Sequence, residues 1–133
     1  FYTLRVAARH MVERGGGGSL VGTASLAAIE GAARNTQYAA TKGAMVAVIR
    51  ALAVELARHG IRANAVLPGW IETAMTARSV GDEKFAAAVL PRIPARRWGS
   101  GADFGGIAVY LASDAAAYHT GDCLVLDGGY SLF

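Results

Sequence analysis

The stretch Ser19-Leu20-Val21-Gly22-Thr23-Ala24-Ser25, with Thr36-Gln37-Tyr38-Ala39-Ala40-Thr41-Lys42 after a ten-residue loop, decides how the rest of the chain is read. A short apolar run between glycine-rich and polar neighbours predicts a buried strand over about Ser19 to Ala24, with Ser25 delivered at its C-terminal end. In open α/β sheets ligands bind at that edge. From about Thr36 to Arg58, Met45, Ile49, Leu52 and Leu56 recur at helical spacing, and Val46, Val48 and Ala53 widen the apolar face. Tyr38 and Lys42, four apart on that helix, project from one side, one turn above the other. A phenol exchanges protons poorly at neutral pH unless a neighbouring cation favours its ionised form. With such a neighbour it can serve as general acid or base for an alcohol or ketone, and Ser25 offers a hydroxyl to hold the substrate oxygen. Eleven of the thirteen basic residues are Arg, yet the position one turn after Tyr38 carries Lys, whose compact ammonium fits beside a phenol where a guanidinium fork has a different shape.

Working outward, Leu4, Ala7, Ala8, Met11 and Val12 follow helical spacing from the first residues, with no N-cap before them and an end near Arg14. Gly15 to Gly18 predict a turn. They follow a helix and precede a strand, the reverse of the order in a phosphate-cradling glycine loop. Residues 26–35 read as a loop, with Asn35 or Thr36 as candidate N-cap. His59-Gly60 close the long helix, and Ile61 to Leu67 predict the next strand, stopped by Pro68-Gly69. Residues 74–98 are interrupted by Gly81, Pro91 and Pro94, with a short helix at about Glu83 to Leu90. Ser100 and Asp103 predict a cap for a helix from about Ala102 to Ala112 with a Phe104, Ile107, Ala108, Leu111 stripe, and Cys123 to Leu126 predict a last strand. Strands alternating with helices imply an α/β fold with three parallel strands.

Composition narrows the function classes. A chain of 133 residues is within the size of one domain, and 53% hydrophobic content argues for a packed core rather than disorder. The net charge is +3, but the arginines are scattered and form no stripe, so nucleic acid is not an expected partner. No apolar run reaches membrane-spanning length, so no membrane association is expected. The lone Cys123 excludes an internal disulfide, reads as a buried, inert thiol, and fits a reducing, cytoplasmic setting. His10, His59 and His119 share no metal-ligand spacing.

Ser25 and Tyr38-Ala39-Ala40-Thr41-Lys42 resemble the active-site motif of the short-chain dehydrogenase/reductases, in which a Ser is followed after twelve residues by Tyr-x-x-x-Lys. The resemblance continues through His59-Gly60-Ile61-Arg62-Ala63-Asn64-Ala65-Val66-Leu67-Pro68-Gly69-Trp70-Ile71-Glu72-Thr73, then Thr120-Gly121 and Leu126-Asp127-Gly128-Gly129, and is nearest to members like the 3-oxoacyl-acyl-carrier-protein reductases. It implies the C-terminal half of a Rossmann-like, doubly wound parallel sheet: residues 1–133 as the C-terminal part of a single domain whose nucleotide-binding half is absent. It implies Tyr38 as acid/base, Lys42 favouring the phenolate and binding the nicotinamide ribose, and Ser25 orienting the carbonyl. Pro68, Gly69, the backbone of Ile71 and the Thr73 hydroxyl would meet the nicotinamide of NAD or NADP. The substrate would be a small secondary alcohol or ketone, held by Ser25 and by Trp70, with Met75 and Trp98 as further candidates for an apolar cleft under a mobile lid at 74–98. The long helix, with the helix preceding it, would form a four-helix interface in a dimer or tetramer; the alternative is a wide apolar stripe packed within the chain. Gly22, Ala24 and Ala28 stand where the family often has Asn, Ser and Gly, and nothing in the chain supplies the family's pyrophosphate loop. The alternative reading is a catalytically silent, structural or oligomerising half. A serine hydrolase is a poor reading, because Leu26 stands where a nucleophile elbow needs a small residue and no histidine is placed to serve Ser25.

Overall fold

Ile61 to Leu67 is apolar on both faces except for Arg62 and Asn64, a pattern that places a strand at the centre of a parallel sheet. The computed structural model, which describes residues 1–132, has this arrangement. In chain order the elements are α1 (Tyr2–Arg14), β1 (Gly18–Thr23), α2 (Thr36–Leu56), β2 (Ile61–Pro68), α3 (Ala77–Val80), α4 (Glu83–Val89), α5 (Gly105–Ala112) and β3 (Cys123–Leu126). The sheet runs β1-β2-β3 with both pairs parallel, Gly18 opposite Ile61 and Ala65 opposite Cys123. The expected α/β fold with three parallel strands is therefore present.

Strand alternation sorts the side chains between two layers. Leu20, Ala63, Ala65 and Leu67 join Ala8 of α1 and Val46, Ile49, Ala53 and Leu56 of α2 in one core, with Leu4, Ala7, Met11, Val12, Met45 and Leu52 packed around it. Small residues let α2 come close: a Cβ on Gly22 would lie 2.9 Å from Ile49 Cγ1. On the other face Ser19 Oγ and Arg62 Nη2 donate to the Leu111 carbonyl at the end of α5, at 2.7 and 2.9 Å. Asn64, fully buried, donates to the His119 carbonyl (2.8 Å) and accepts from the Asp122 N–H (3.0 Å), tying β2 to the turn that launches β3. His119 in turn bridges the Tyr110 hydroxyl (3.0 Å) and the Asp122 carboxylate (2.9 Å). Hydrogen bonds from His119 and from the Cys123 N–H hold the Asp122 carboxyl below its ordinary range, against partial burial.

Several boundaries differ from expectation. The long helix is α-helical only to Leu56 and tightens into a 3-10 turn at Ala57–His59 before Gly60 closes it with φ 68°. Asn35 occupies the N-cap position, but its side chain caps nothing. The helix expected over 102–112 is a 3-10 turn at Gly101–Phe104 followed by α5, because Asp103 accepts from the Ser100 N–H (2.7 Å) and is held by Arg97 in a bidentate pair at 2.6 and 2.8 Å. That pair draws the Asp103 carboxyl far below its usual range. Cys123 is partly exposed, not buried, because β3 is a sheet edge among the described residues, and Arg50 approaches its sulfur at 3.8 Å. No helix among the described residues is long and apolar enough to cross a membrane, and none of their acidic, His or Cys groups cluster as a metal site.

Candidate active site

Strand β1 ends at Thr23, and Ser25 follows in extended conformation as the cap of a 3-10 turn, its Oγ accepting from the Ala27 N–H at 3.2 Å. The hydroxyl is thus positioned by its own loop. Tyr38 and Lys42 lie in the first two turns of α2, which packs along β1 and β2 through Met45, Val46 and Ile49. Lys42 Nζ donates to the Thr23 carbonyl at 3.1 Å and stands 5.5 Å from the centre of the Tyr38 ring. The strand end thus holds the ammonium on the side of α2 that carries the phenol.

Ser25, Tyr38 and Lys42 all line one cavity of about 460 Å³ at the C-terminal edge of the sheet, together with Pro68, Gly69, Ile71 and Thr73. Gly69 is forced by its neighbours, since a Cβ there would lie 2.7 Å from the Asp127 Cα. Beyond it, Ile71 forms a one-residue parallel bridge with Gly99, through Glu72 N–H to the Gly99 carbonyl (2.8 Å) and Gly99 N–H to the Trp70 carbonyl (2.9 Å). That pairing directs the polar groups of Ile71 itself the other way. Its carbonyl takes the Thr76 hydroxyl, and its N–H has no partner among the described residues. The Thr73 hydroxyl lies 3.1 Å from that of Thr76, whose oxygen also accepts from the Thr73 N–H at 3.0 Å. Thr76 therefore clamps the 71–76 turn, a role that sequence reading missed.

Phe104, Ile107, Ala108 and Leu111, the apolar stripe read from the sequence, line this same cavity beside Val21 and Val66. A second cavity of about 390 Å³ adjoins it, sharing Ser25, Tyr38, Pro68, Gly69 and Met75 and adding Glu30, Asn35, Trp70, Arg92 and Tyr130. Trp70 thus lines this second cavity with Ser25, and it meets Phe85 edge-on with ring centroids 5.0 Å apart. Trp98 instead stacks behind Phe85 at 6.3 Å, which makes it a support for Trp70. Met75 lines both cavities and is well exposed. Arg92 and Tyr130 were not singled out by sequence. Arg92 ends the 3-10 turn Leu90–Arg92 after α4 and Tyr130 follows two glycines, so only the fold brings them to the cavity that Ser25 lines.

The donor set fits the nicotinamide end of a dinucleotide. Lys42 offers an ammonium for ribose hydroxyls, the unpartnered Ile71 N–H and the Thr73 hydroxyl suit a carboxamide, and Pro68 with Val66 supplies an apolar wall. For the pyrophosphate end the described residues contain no glycine loop between a strand and the start of a helix.

Residues 1–131 match the model of a family described as enoyl-(acyl carrier protein) reductase. The chain is 42% identical over 130 residues to a 2-dehydro-3-deoxy-D-gluconate 5-dehydrogenase of Bacillus subtilis, covering 98% of this chain and 51% of the relative. It is 39% identical over 129 residues to an L-rhamnose 1-dehydrogenase (NAD(P)(+)) of Azotobacter vinelandii, covering 97% and 50%. Among solved structures, a gluconate 5-dehydrogenase from Burkholderia cenocepacia in complex with NADP and tartrate superposes with a TM-score of 0.90 at 36% identity, over 95% of this chain and 49% of that one. The chain spans about half the length of the curated relatives it matches. With a family match through 131 residues and the same parallel sheet, the chain belongs to the short-chain dehydrogenase/reductase family.

Proposed function

We propose that this chain is the C-terminal part of a single Rossmann-like domain in an NAD(P)-dependent oxidoreductase that interconverts a secondary alcohol and a ketone on a small sugar-like molecule. The observation that carries the reading is the convergence of Ser25, Tyr38 and Lys42 on one cavity with Pro68, Gly69, Ile71 and Thr73. The nicotinamide, when bound, supplies or accepts the hydride. Ser25 holds the reacting oxygen by a hydrogen bond, its own lone pair anchored by the Ala27 N–H. Tyr38 gives that oxygen a proton during reduction and takes one during oxidation, and Lys42 stabilises the negative charge left on the phenol. Lys42 also holds the ribose, while Ile71 and Thr73 orient the carboxamide and Trp70 closes the substrate side.

In the full-length protein, Tyr38→Phe is expected to lower turnover about 100-fold or more, the scale of lost general acid–base catalysis, with cofactor binding intact. Turnover at the unaltered level would remove the tyrosine from the chemistry. The same reading includes a cytoplasmic protein acting as a dimer or tetramer. The oligomer is supported by the apolar groove between α1 and α2, lined by Leu4, Val12, Val48 and Leu52. Taken alone, residues 1–133 are expected to be catalytically silent, because the pyrophosphate end has no seat among the described residues. NADPH fluorescence titration of the isolated chain checks this, and tight binding would refute it.

A further inference from the structure

The relatives divide between sugar acids and neutral sugars, and the Ser25–Tyr38–Lys42 site does not distinguish them. The adjoining cavity does. Asp127 accepts from the Gly129 N–H at 2.8 Å and the Ser131 N–H at 2.7 Å, which folds the chain after β3 into a tight turn carrying Tyr130. Gly128 and Gly129 are both left-handed, with φ 65° and 89°. They seat Ile93, Pro94 and Ala95, since a Cβ on Gly128 would lie 2.9 Å from Ile93 and one on Gly129 2.9 Å from Pro94. The Ala95 N–H bonds the Gly128 carbonyl at 3.0 Å. This docking brings Arg92, three residues earlier, onto Tyr130: the guanidinium carbon lies 4.6 Å from the ring centre and Nη1 donates to the hydroxyl at 2.9 Å.

Arg92 is exposed and makes no ion pair with a described residue, so one of its five N–H donors is used and the rest of the planar fork faces solvent or the cavity. A fork held over an aromatic ring and bonded to its hydroxyl is pre-organised for a carboxylate, which it can meet with two parallel hydrogen bonds. Glu30 and Asn35 line the same cavity. They suit hydroxyl groups, and the Glu30 charge repels an anion placed at its end, which sets the direction of the ligand.

We infer that Arg92, seated on Tyr130, is the specificity-determining residue that binds the carboxylate of a polyhydroxy acid whose hydroxyl-bearing carbon reacts at Ser25 and Tyr38. This rests on the dehydrogenase reading of that pair and adds the substrate class: sugar acids in preference to neutral sugars. The test is binding, which needs no hydride transfer. Calorimetry on the full-length protein, with and without NADPH, compares D-gluconate with D-sorbitol, which carries an alcohol in place of the carboxylate. Gluconate is expected to bind at least ~10-fold more tightly. R92Q should weaken gluconate by ~10- to 100-fold and leave sorbitol unchanged, the scale of a lost charge-assisted fork, and R92K should restore part of the preference. Tyr130→Phe, which removes only the hydroxyl seat, should weaken gluconate several-fold, ~3-fold or more. Equal binding of the two ligands by the unaltered protein, or an equal loss of both in R92Q, would overturn the inference. An Arg92-dependent preference for gluconate without NAD(P)-linked turnover would sustain the carboxylate seat at Arg92 and defeat the dehydrogenase reading, and with it the reaction at Ser25 and Tyr38. Turnover of neutral sugars with no gluconate preference would do the reverse.

Discussion

Asn64→Ala tests whether the fold depends on the buried polar link between β2 and β3. Asn64 is 0% exposed and makes two hydrogen bonds, to the His119 carbonyl at 2.8 Å and from the Asp122 N–H at 3.0 Å. Truncation leaves both backbone partners unmet, at about 1–3 kcal/mol each in a closed interior. The His119 and Asp122 side chains are 26% and 57% exposed, so water can reach this turn, and the low end, about 1 kcal/mol each, applies. The vacated amide volume adds about 1 kcal/mol more at the usual cost per unit of cavity, giving a loss of about 3 kcal/mol. In a urea titration followed by circular dichroism, that moves the midpoint down by about 1–3 M for a typical slope. Asn64→Asp sharpens the test. At neutral pH it keeps the acceptor for Asp122 but sets a buried carboxylate against the His119 carbonyl. A protonated acid there can donate, so the folded state binds the proton more tightly than the unfolded chain. Its stability is therefore fullest below the unfolded value, near pH 4, and falls as pH rises through the folded value. A loss under about 0.5 kcal/mol in Asn64→Ala, or an Asn64→Asp variant as stable at pH 7 as at pH 4, would refute the assigned role.

Other substitutions probe the loops that form the site. Gly69→Ala places a methyl 2.7 Å from the Asp127 Cα, so the turn after β2 and the turn after β3 must part; a loss of about 1–3 kcal/mol is expected, and a urea midpoint equal to that of the parent would contradict the contact. For Asp127, partial burial raises the carboxyl, but hydrogen bonds from Ser131 and the Gly129 N–H outweigh it and leave the group below its ordinary range. The resulting stability is present above the unfolded value of about 4 and is lost as pH falls through the lower folded one. Asp127→Asn should therefore flatten the fall of melting temperature between about pH 5 and 3, and an unchanged acid profile would count against it.

Much of the candidate site was legible because the proposed chemistry is local. Tyr38 and Lys42 are one helical turn apart, so helical geometry alone brings phenol and ammonium together, and the apolar run before Ser25 marks a strand whose C-terminal end is where open α/β sheets bind ligands. Elsewhere sequence pattern misled. Nothing in the Phe104, Ile107, Ala108, Leu111 pattern marked it as lining a cavity, and Cys123 was read as buried but lies partly exposed on a sheet edge. An apolar stripe looks the same whether it meets another element or a ligand cavity.

Asn64, Arg92 and Tyr130 show where sequence stops. Each does its work through a partner that local pattern does not specify: Asn64 through a turn more than fifty residues later, and Arg92 through a ring 38 positions away. Hydrophobic period and turn residues determine which segments become helix or strand, because those preferences act over a few residues. Which strand ends, loops and charged side chains share one cavity is decided when the parallel sheet closes. Its register fixes Ser25 beside Pro68 and Gly69, and the left-handed Gly128-Gly129 turn sets Arg92 against Tyr130 on the wall of the same space.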